Sequence, residues 1–159
     1  MPLFLRGRDN AFFNLVSQEL VDYIIDTPIV VYKIDVRHTE TNLYGESPEG
    51  KSYSQGILLS CIIAHDDQVT ETEEFGPTIL QTVTFAFQRE RIKVFGFYPE
   101  NGDICQWNDT FYEISGVIEN QLIGGQYFQN HSIITTGQMV SRDKLNLEEL
   151  RPGDSGRRD

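Results

Sequence analysis

Asp103-Ile104-Cys105-Gln106-Trp107-Asn108-Asp109-Thr110-Phe111-Tyr112-Glu113-Ile114-Ser115-Gly116-Val117 reads as two short strands set back to back. Both halves are rich in β-branched and aromatic residues, which suit a pleated, half-buried surface. Asn108-Asp109 stands between them as a two-residue link. Both residue types tolerate the left-handed backbone that a tight hairpin demands. Just upstream, Pro99-Glu100-Asn101-Gly102 has the composition of a turn. Two reversals so close together predict antiparallel pairing.

The same signals recur on either side. Residues 29–36 place Val30, Tyr32, Ile34 and Val36 on one side of an extended segment, with Lys33 and Asp35 on the other. Residues 57–64 are apolar on both faces, which predicts a central strand. Asp66-Asp67 turns the chain, and residues 70–74 form an acidic segment before Phe75-Gly76-Pro77. Val83, Phe85 and Phe87 then alternate with Thr82, Thr84 and Ala86, and residues 132–136 make a last strand after the break at Gly124-Gly125. One helix is expected, over about 10–26. Asp9 or Asn10 caps it, Phe13, Val16, Leu20 and Ile24 recur at helical spacing, and Phe12, Leu15 and Val21 widen the stripe. That stripe is expected to pack on the core, leaving Asn14, Ser17, Gln18 and Asp22 to water. Asp26-Thr27-Pro28 ends the helix, because the residue before proline avoids helical geometry.

Together these elements predict a mainly β protein, a small antiparallel β barrel with one N-terminal helix and long loops. One domain spans 1–147, with an extended polar arm over 37–55 and a polar tail over 148–159. A chain of 159 residues, 39% hydrophobic, can bury a core without disulfides or metal. No run is long enough to span a bilayer, and the helix lacks the basic face of a membrane-surface binder. The first six residues do not have the form of a signal peptide, so synthesis inside the cell is expected. Cys61 and Cys105 lie on separate strands and read as reduced core thiols. The net charge is −11, from 24 acids against 13 bases. Affinity for DNA or RNA rests largely on cations that neutralise phosphate, so a nucleic-acid grip is disfavoured. The basic clusters Arg89-Glu90-Arg91-Ile92-Lys93 and Arg157-Arg158 are mixed with acids and read as solvated surface.

The motifs that carry chemistry are weak. Gly45-Glu46-Ser47-Pro48-Glu49-Gly50-Lys51-Ser52 matches the phosphate-binding pattern G-x-x-x-x-G-K-[ST]. Such a loop works where a strand ends and a helix begins, with backbone N–H groups aimed at phosphate. Here the chain after Ser52 runs into a strand, Glu46 and Glu49 repel a triphosphate, and Pro48 has no N–H to give. A nucleotide hydrolase using Gly50, Lys51 and Ser52 is thus the enzymatic alternative, and a polar loop between strands the preferred one. His38, His65 and His131 are scattered, no Gly-x-Ser-x-Gly occurs, and Cys61 with His65 or Cys105 with His131 falls short of a zinc set. Neither catalytic residues, a cofactor nor a metal is expected. Tyr44, Gly45 and Glu46 in the arm, with Lys51 and Tyr53 on its far side, and Tyr127 and Phe128 after the double glycine, are candidate interface residues. The alternative is that these rings fold back over the barrel ends.

Asn42-Leu43-Tyr44-Gly45-Glu46-Ser47 with Lys51 and Tyr53 opens a longer ordered series. It continues through Phe75-Gly76-Pro77, Gly102-Asp103-Ile104, Trp107-Asn108, Phe111-Tyr112-Glu113-Ile114, Glu119-Asn120-Gln121 and Asn130-His131-Ser132. In that order the series resembles neck proteins of contractile-tailed bacteriophages, the head-completion or head-closure components, over residues 32–147. The resemblance implies a non-enzymatic virion protein at the head–tail neck, made and assembled in the host cytoplasm. It implies a ring of copies, commonly six, that closes the capsid exit and docks the tail. Its neighbours would be a portal-side adaptor and a tail terminator, and DNA would pass the channel without specific binding. A tail-terminator ring is the alternative within the same class, and a free-standing ligand-binding barrel lies outside it.

Overall fold

The computed structural model describes residues 7–37, 51–66, 69–73, 76–121, 130–145 and 147. Helix α1 spans Gly7–Glu19 and runs on as a π-helical turn, Leu20–Ile25, before strand β1 at Pro28–Tyr32. Then come β2 (Ile57–Ser60), β3 (Ile62–His65), β4 (Val69–Glu73), β5 (Gly76–Leu80) and β6 (Thr82–Gln88). Helix α2 (Arg89–Phe95) precedes β7 (Ile104–Trp107), β8 (Thr110–Gln121) and β9 (Asn130–Val140), and a 3-10 turn covers Arg142–Lys144.

Seven strands form one antiparallel sheet in the order β2-β1-β7-β8-β9-β6-β3. Its two outermost strands are neighbours in the chain, separated by Cys61 alone, so the sheet curls until its ends meet through that residue. Cys61 itself is buried, and its N–H donates to the Thr27 carbonyl (3.2 Å). The result is a half-barrel, mainly β as expected. Residues 57–64 are therefore two edge strands rather than one central strand; Ile57, Leu59, Cys61 and Ile63 pack on the core, while Leu58 and Ile62 on the other face are exposed. Strand β1 is covered on both sides, as are β7 and β8: Ile29, Val31, Cys105 and Tyr112 enter the main core, and Tyr32, Ile104 and Phe111 a second cluster.

The hairpin β7–β8 forms as its sequence dictates. Asn108 (φ 51°) and Asp109 (φ 61°) both take left-handed backbone, the signature of a type I′ turn, and Trp107 pairs with Thr110. Strand β6 also follows its alternation: Val83, Phe85 and Phe87 are buried, and they pack with Cys105, Tyr112 and Ile133. Gly137 on β9 lets the sheet close tightly there, since an added Cβ would sit 3.0 Å from the Tyr112 Cβ.

Three expectations need correction. The basic run 89–93 belongs to a second helix, α2. Ile92 is its buried anchor, and Gly96 (φ 63°) caps it by donating to the Ile92 and Lys93 carbonyls. The acidic segment, read without a strand, contributes one. Residues 69–73 pair with β5 as a separate two-stranded sheet, with Glu71 opposite Thr78 and Glu73 opposite Gly76. The third concerns α1. It ends where expected, with Asp26 left-handed (φ 43°) and bonded back to the Val21 carbonyl, but its first turn already includes Asp9, and its apolar stripe does not face the core. Val21 is its buried apolar residue, while Phe12 (64% exposed), Leu15 (62%) and Ile24 (73%) face outward.

Candidate assembly surface

Helix α1 is amphipathic with its sides exchanged. Asn10, Asn14, Ser17 and Gln18 are half-buried and lie in line with buried Val21 on the side turned to the protein. The cause is what lies beneath. Gln88, buried at the end of β6, and His131 on β9 present polar atoms at the seam, and a buried polar group is costly unless bonded. Asn14 satisfies both: its carbonyl accepts from Gln88 Nε2 (2.7 Å), and its Oδ1 meets His131 Nδ1 (2.9 Å). Within the first turn of the π-helical segment, Asp22 pairs with Arg91 of α2 (3.0 Å), and the Arg91 guanidinium lies over the Phe95 ring. The helix is docked by polar contacts, and its apolar side has no cover among the described residues. Phe12, Phe13, Leu15, Val16, Leu20 and Ile24 form that side, with Tyr23 beside them. Their combined exposed area is several hundred Å², where a typical monomer shows no larger contiguous apolar patch.

Between α1 and the outer face of the sheet runs a groove of about 280 Å³. Val16 and Leu20 form one wall, Ile62, Ala86 and Ile134 the other, and His131 lines it as well. Ile62, Ala86 and Ile134 are paired across β3, β6 and β9, and Ile118 of β8 continues the row from the register of Ile134. None of the groove's lining residues is an acid, a lysine or an arginine.

Of the candidate interface residues, Lys51 and Tyr53 lie within the described segments; Tyr44, Gly45, Glu46, Tyr127 and Phe128 lie outside them. Lys51 and Tyr53 are drawn together at one end of the half-barrel. Lys51 forms an ion pair with Glu113 of β8. Tyr53 bridges Ile34 and packs on the cluster of Tyr32, Ile104 and Phe111, together with Leu145 and Leu147. Its hydroxyl is buried without a hydrogen-bond partner among the described residues. Burial first, then the nearby charges of Glu113 and Asp103, push its pKa up to about 12. After Ser52 the chain pairs with residues 34–35 instead of opening a helix: Asp35 N–H donates to the Ser52 carbonyl (2.8 Å). Gly50 lies outside the described residues. Cys61 and Cys105 are free and buried, and burial pushes the Cys61 thiol up to about 12 and Cys105 well above the ordinary thiol value.

Two polar centres escaped the sequence reading. Asp103 is fully buried at the start of β7 and holds the turn before it. Its Oδ1 accepts from Ile34 N–H (2.9 Å), its Oδ2 from Glu100 N–H (2.8 Å), and Lys33 Nζ lies 3.6 Å away. The signal was an acid directly after the turn glycine, where its carboxylate reaches back three residues. Glu119 on β8 gathers Tyr98, Arg89 and Asn130. The Tyr98 hydroxyl, then Arg89, hold its carboxyl below the ordinary value. The basic face of α2 is thus met by acids: Arg89 by Glu119, Arg91 by Asp22, Lys93 by Glu90.

No family model matches the chain, and no curated protein matches it either. Among solved structures, a chain in one titled "Virion of native gene transfer agent (GTA) particle" is similar at 11% identity and a TM-score of 0.44, over 71% of this chain and 93% of that one.

Proposed function

We propose that this protein is a non-enzymatic structural component of a phage virion, working at the head–tail neck as a ring of copies. The ordered residue series that resembles neck proteins supplies the place. The observation that carries the mode of action is the outward apolar side of α1. A helix that spends its polar side on its own body and leaves Phe12, Phe13 and Leu15 in water is unfinished as a monomer. A ring joins copies through two different surfaces on each, and this fold offers more than one. Among the described residues the hairpin β4–β5 belongs to no larger sheet, and a lone two-stranded hairpin is marginal in water, so it too is suited to a neighbour. The excess of acids fits a channel that DNA traverses without sticking, because negative walls repel phosphate.

Lys51, the residue a nucleotide hydrolase would need free for phosphate, is held by Glu113. The test of the proposal is incorporation into particles. Phage carrying Phe12→Gln with Phe13→Gln in this chain are expected to yield filled heads that fail to join tails. Normal yields of tailed particles would contradict it, as would ATP or GTP binding in the micromolar range that disappears in Lys51→Ala.

A further inference from the structure

We infer that the apolar side of α1 is covered by a second copy of this chain, the Phe12–Phe13 pair of one copy entering the uncharged groove beside α1 of the next. This rests on the ring proposed above and names its joint. Three observations carry it. The first is shape: the same chain bears a projecting aromatic pair, with rings 6.4 Å apart and edge to face, and a groove of about 280 Å³ walled by Val16, Leu20, Ile62, Ala86 and Ile134. Aromatic side chains that fill a desolvated pocket are the usual anchors of an interface. The second is charge. Copies that each carry −11 repel one another wherever acids face acids. The groove lining has no Asp, Glu, Lys or Arg, and residues 11–18 of the ridge have none either. The Phe12–Phe13 pair can therefore enter the groove without setting an acid against an acid. The third is extent: on the ridge Phe12, Phe13, Leu15, Tyr23 and Ile24 are each at least half exposed, and beside the groove Ile62 and Ile118 are exposed as well, so each of the two surfaces has apolar area to bury against the other.

The Phe12–Phe13 pair and the groove behind Val16 and Leu20 are different surfaces, so the contact is heterologous: each copy gives its aromatic pair to one neighbour and its groove to the other. That arrangement has a specific consequence for variants. Phe12→Gln with Phe13→Gln removes the ridge and keeps the groove; Ile62→Lys blocks the groove and keeps the ridge. These positions are exposed, so both variants should fold, with melting temperatures near that of the parent.

The experiment is light scattering with size-exclusion on the full chain across a range of concentrations. The parent is expected to self-associate, and each variant alone to associate about a hundredfold more weakly. An equal mixture of the two variants should form a one-to-one complex that grows no further, because one intact ridge meets one intact groove. Unchanged association in both variants overturns the inference, as does a mixture that stays monomeric. A parent that is monomeric at every concentration also overturns it. If the ridge variant nonetheless blocks tail joining, the virion role stands and only the second copy falls. If tail joining is indifferent to the ridge, the virion role falls with it.

Discussion

Strand β6 and helix α1 carry apolar residues in equally regular patterns, and the fold treats them in opposite ways. In β6, Val83, Phe85 and Phe87 go to the core and Thr82, Thr84 and Ala86 go outside. In α1, residues at helical spacing go to water, and the polar side is the one held down. The difference teaches that period fixes the type of element, while the side that is buried depends on what lies beneath it. Under β6 lies the apolar interior of a curled sheet. Under α1 lie Gln88 and His131, whose polar atoms need partners more than the seam needs hydrocarbon.

Substitutions can break that contrast. Phe85→Ala should destabilise the isolated chain by about 3 to 5 kcal/mol, because it empties a packed core site. Phe13→Ala, the same change on α1, should stay within about 0.5 kcal/mol. Urea unfolding of both variants measures the gap, and equal losses would mean that α1 folds onto the core in solution. Next in size is Asp103→Ala, which strips partners from two backbone N–H groups and should cost about 2 to 4 kcal/mol by the same assay. Gly56→Ala should follow, at about 1 to 3 kcal/mol, since an added Cβ would stand 2.6 Å from Val30 Cγ1 and 2.8 Å from Tyr32 Cε1. Both act on the half-barrel and should leave assembly intact at temperatures where the chain is folded. Lys51→Met is the smallest, below about 1 kcal/mol, because its pair with Glu113 is partly exposed.

The same contrast extends to pH. Tyr53 and Cys61 have raised native values, so the folded chain holds their protons more tightly than the unfolded chain does. Stability is then full below the ordinary values of 9.0 and 10.0 and is lost as pH rises towards about 12. Glu119 has the opposite sign. Its lowered value contributes stability above the ordinary 4.5, lost as pH falls through its native value, and Tyr98→Phe should reduce that loss. Thermal melts across pH check both limbs. Unfolding at alkaline pH should start in the half-barrel, reported by Trp107, which lies against Tyr112 and His65.

Much of the sheet was legible from residue type. Asn108-Asp109 with flanking aromatic and β-branched residues could form little except a hairpin, and β6 alternated from Thr82 to Phe87. Helix α1 was legible as a helix, because Asp26-Thr27-Pro28 fixed its end. Its facing was not, since Gln88 and His131 come from strands far along the chain and only the folded sheet brings them under Asn14. Helix α2 was hidden by its charges: a single buried residue, Ile92, gives no period to read. The split of residues 57–65 at Cys61 was equally hidden, because Leu58 and Ile62 stay exposed on the outer face, and residue type alone does not tell an exposed apolar face from a covered one. Lys51 and Tyr53, singled out by their position in the arm, lie at one end of the half-barrel, Lys51 paired with Glu113 and Tyr53 packed on a buried cluster, whereas Phe12 and Phe13, assigned to the core, are exposed. The helical stripe gave the helix and the wrong side.

The most direct measurement is a structure of the assembled particle at side-chain resolution around α1. Phe12, Phe13 and Leu15 should be buried against an adjoining subunit, with Asn14 still bonded to Gln88 and His131 of its own chain. The same side chains bathed in solvent, or α1 rolled over to place them on its own sheet, would contradict the central claim.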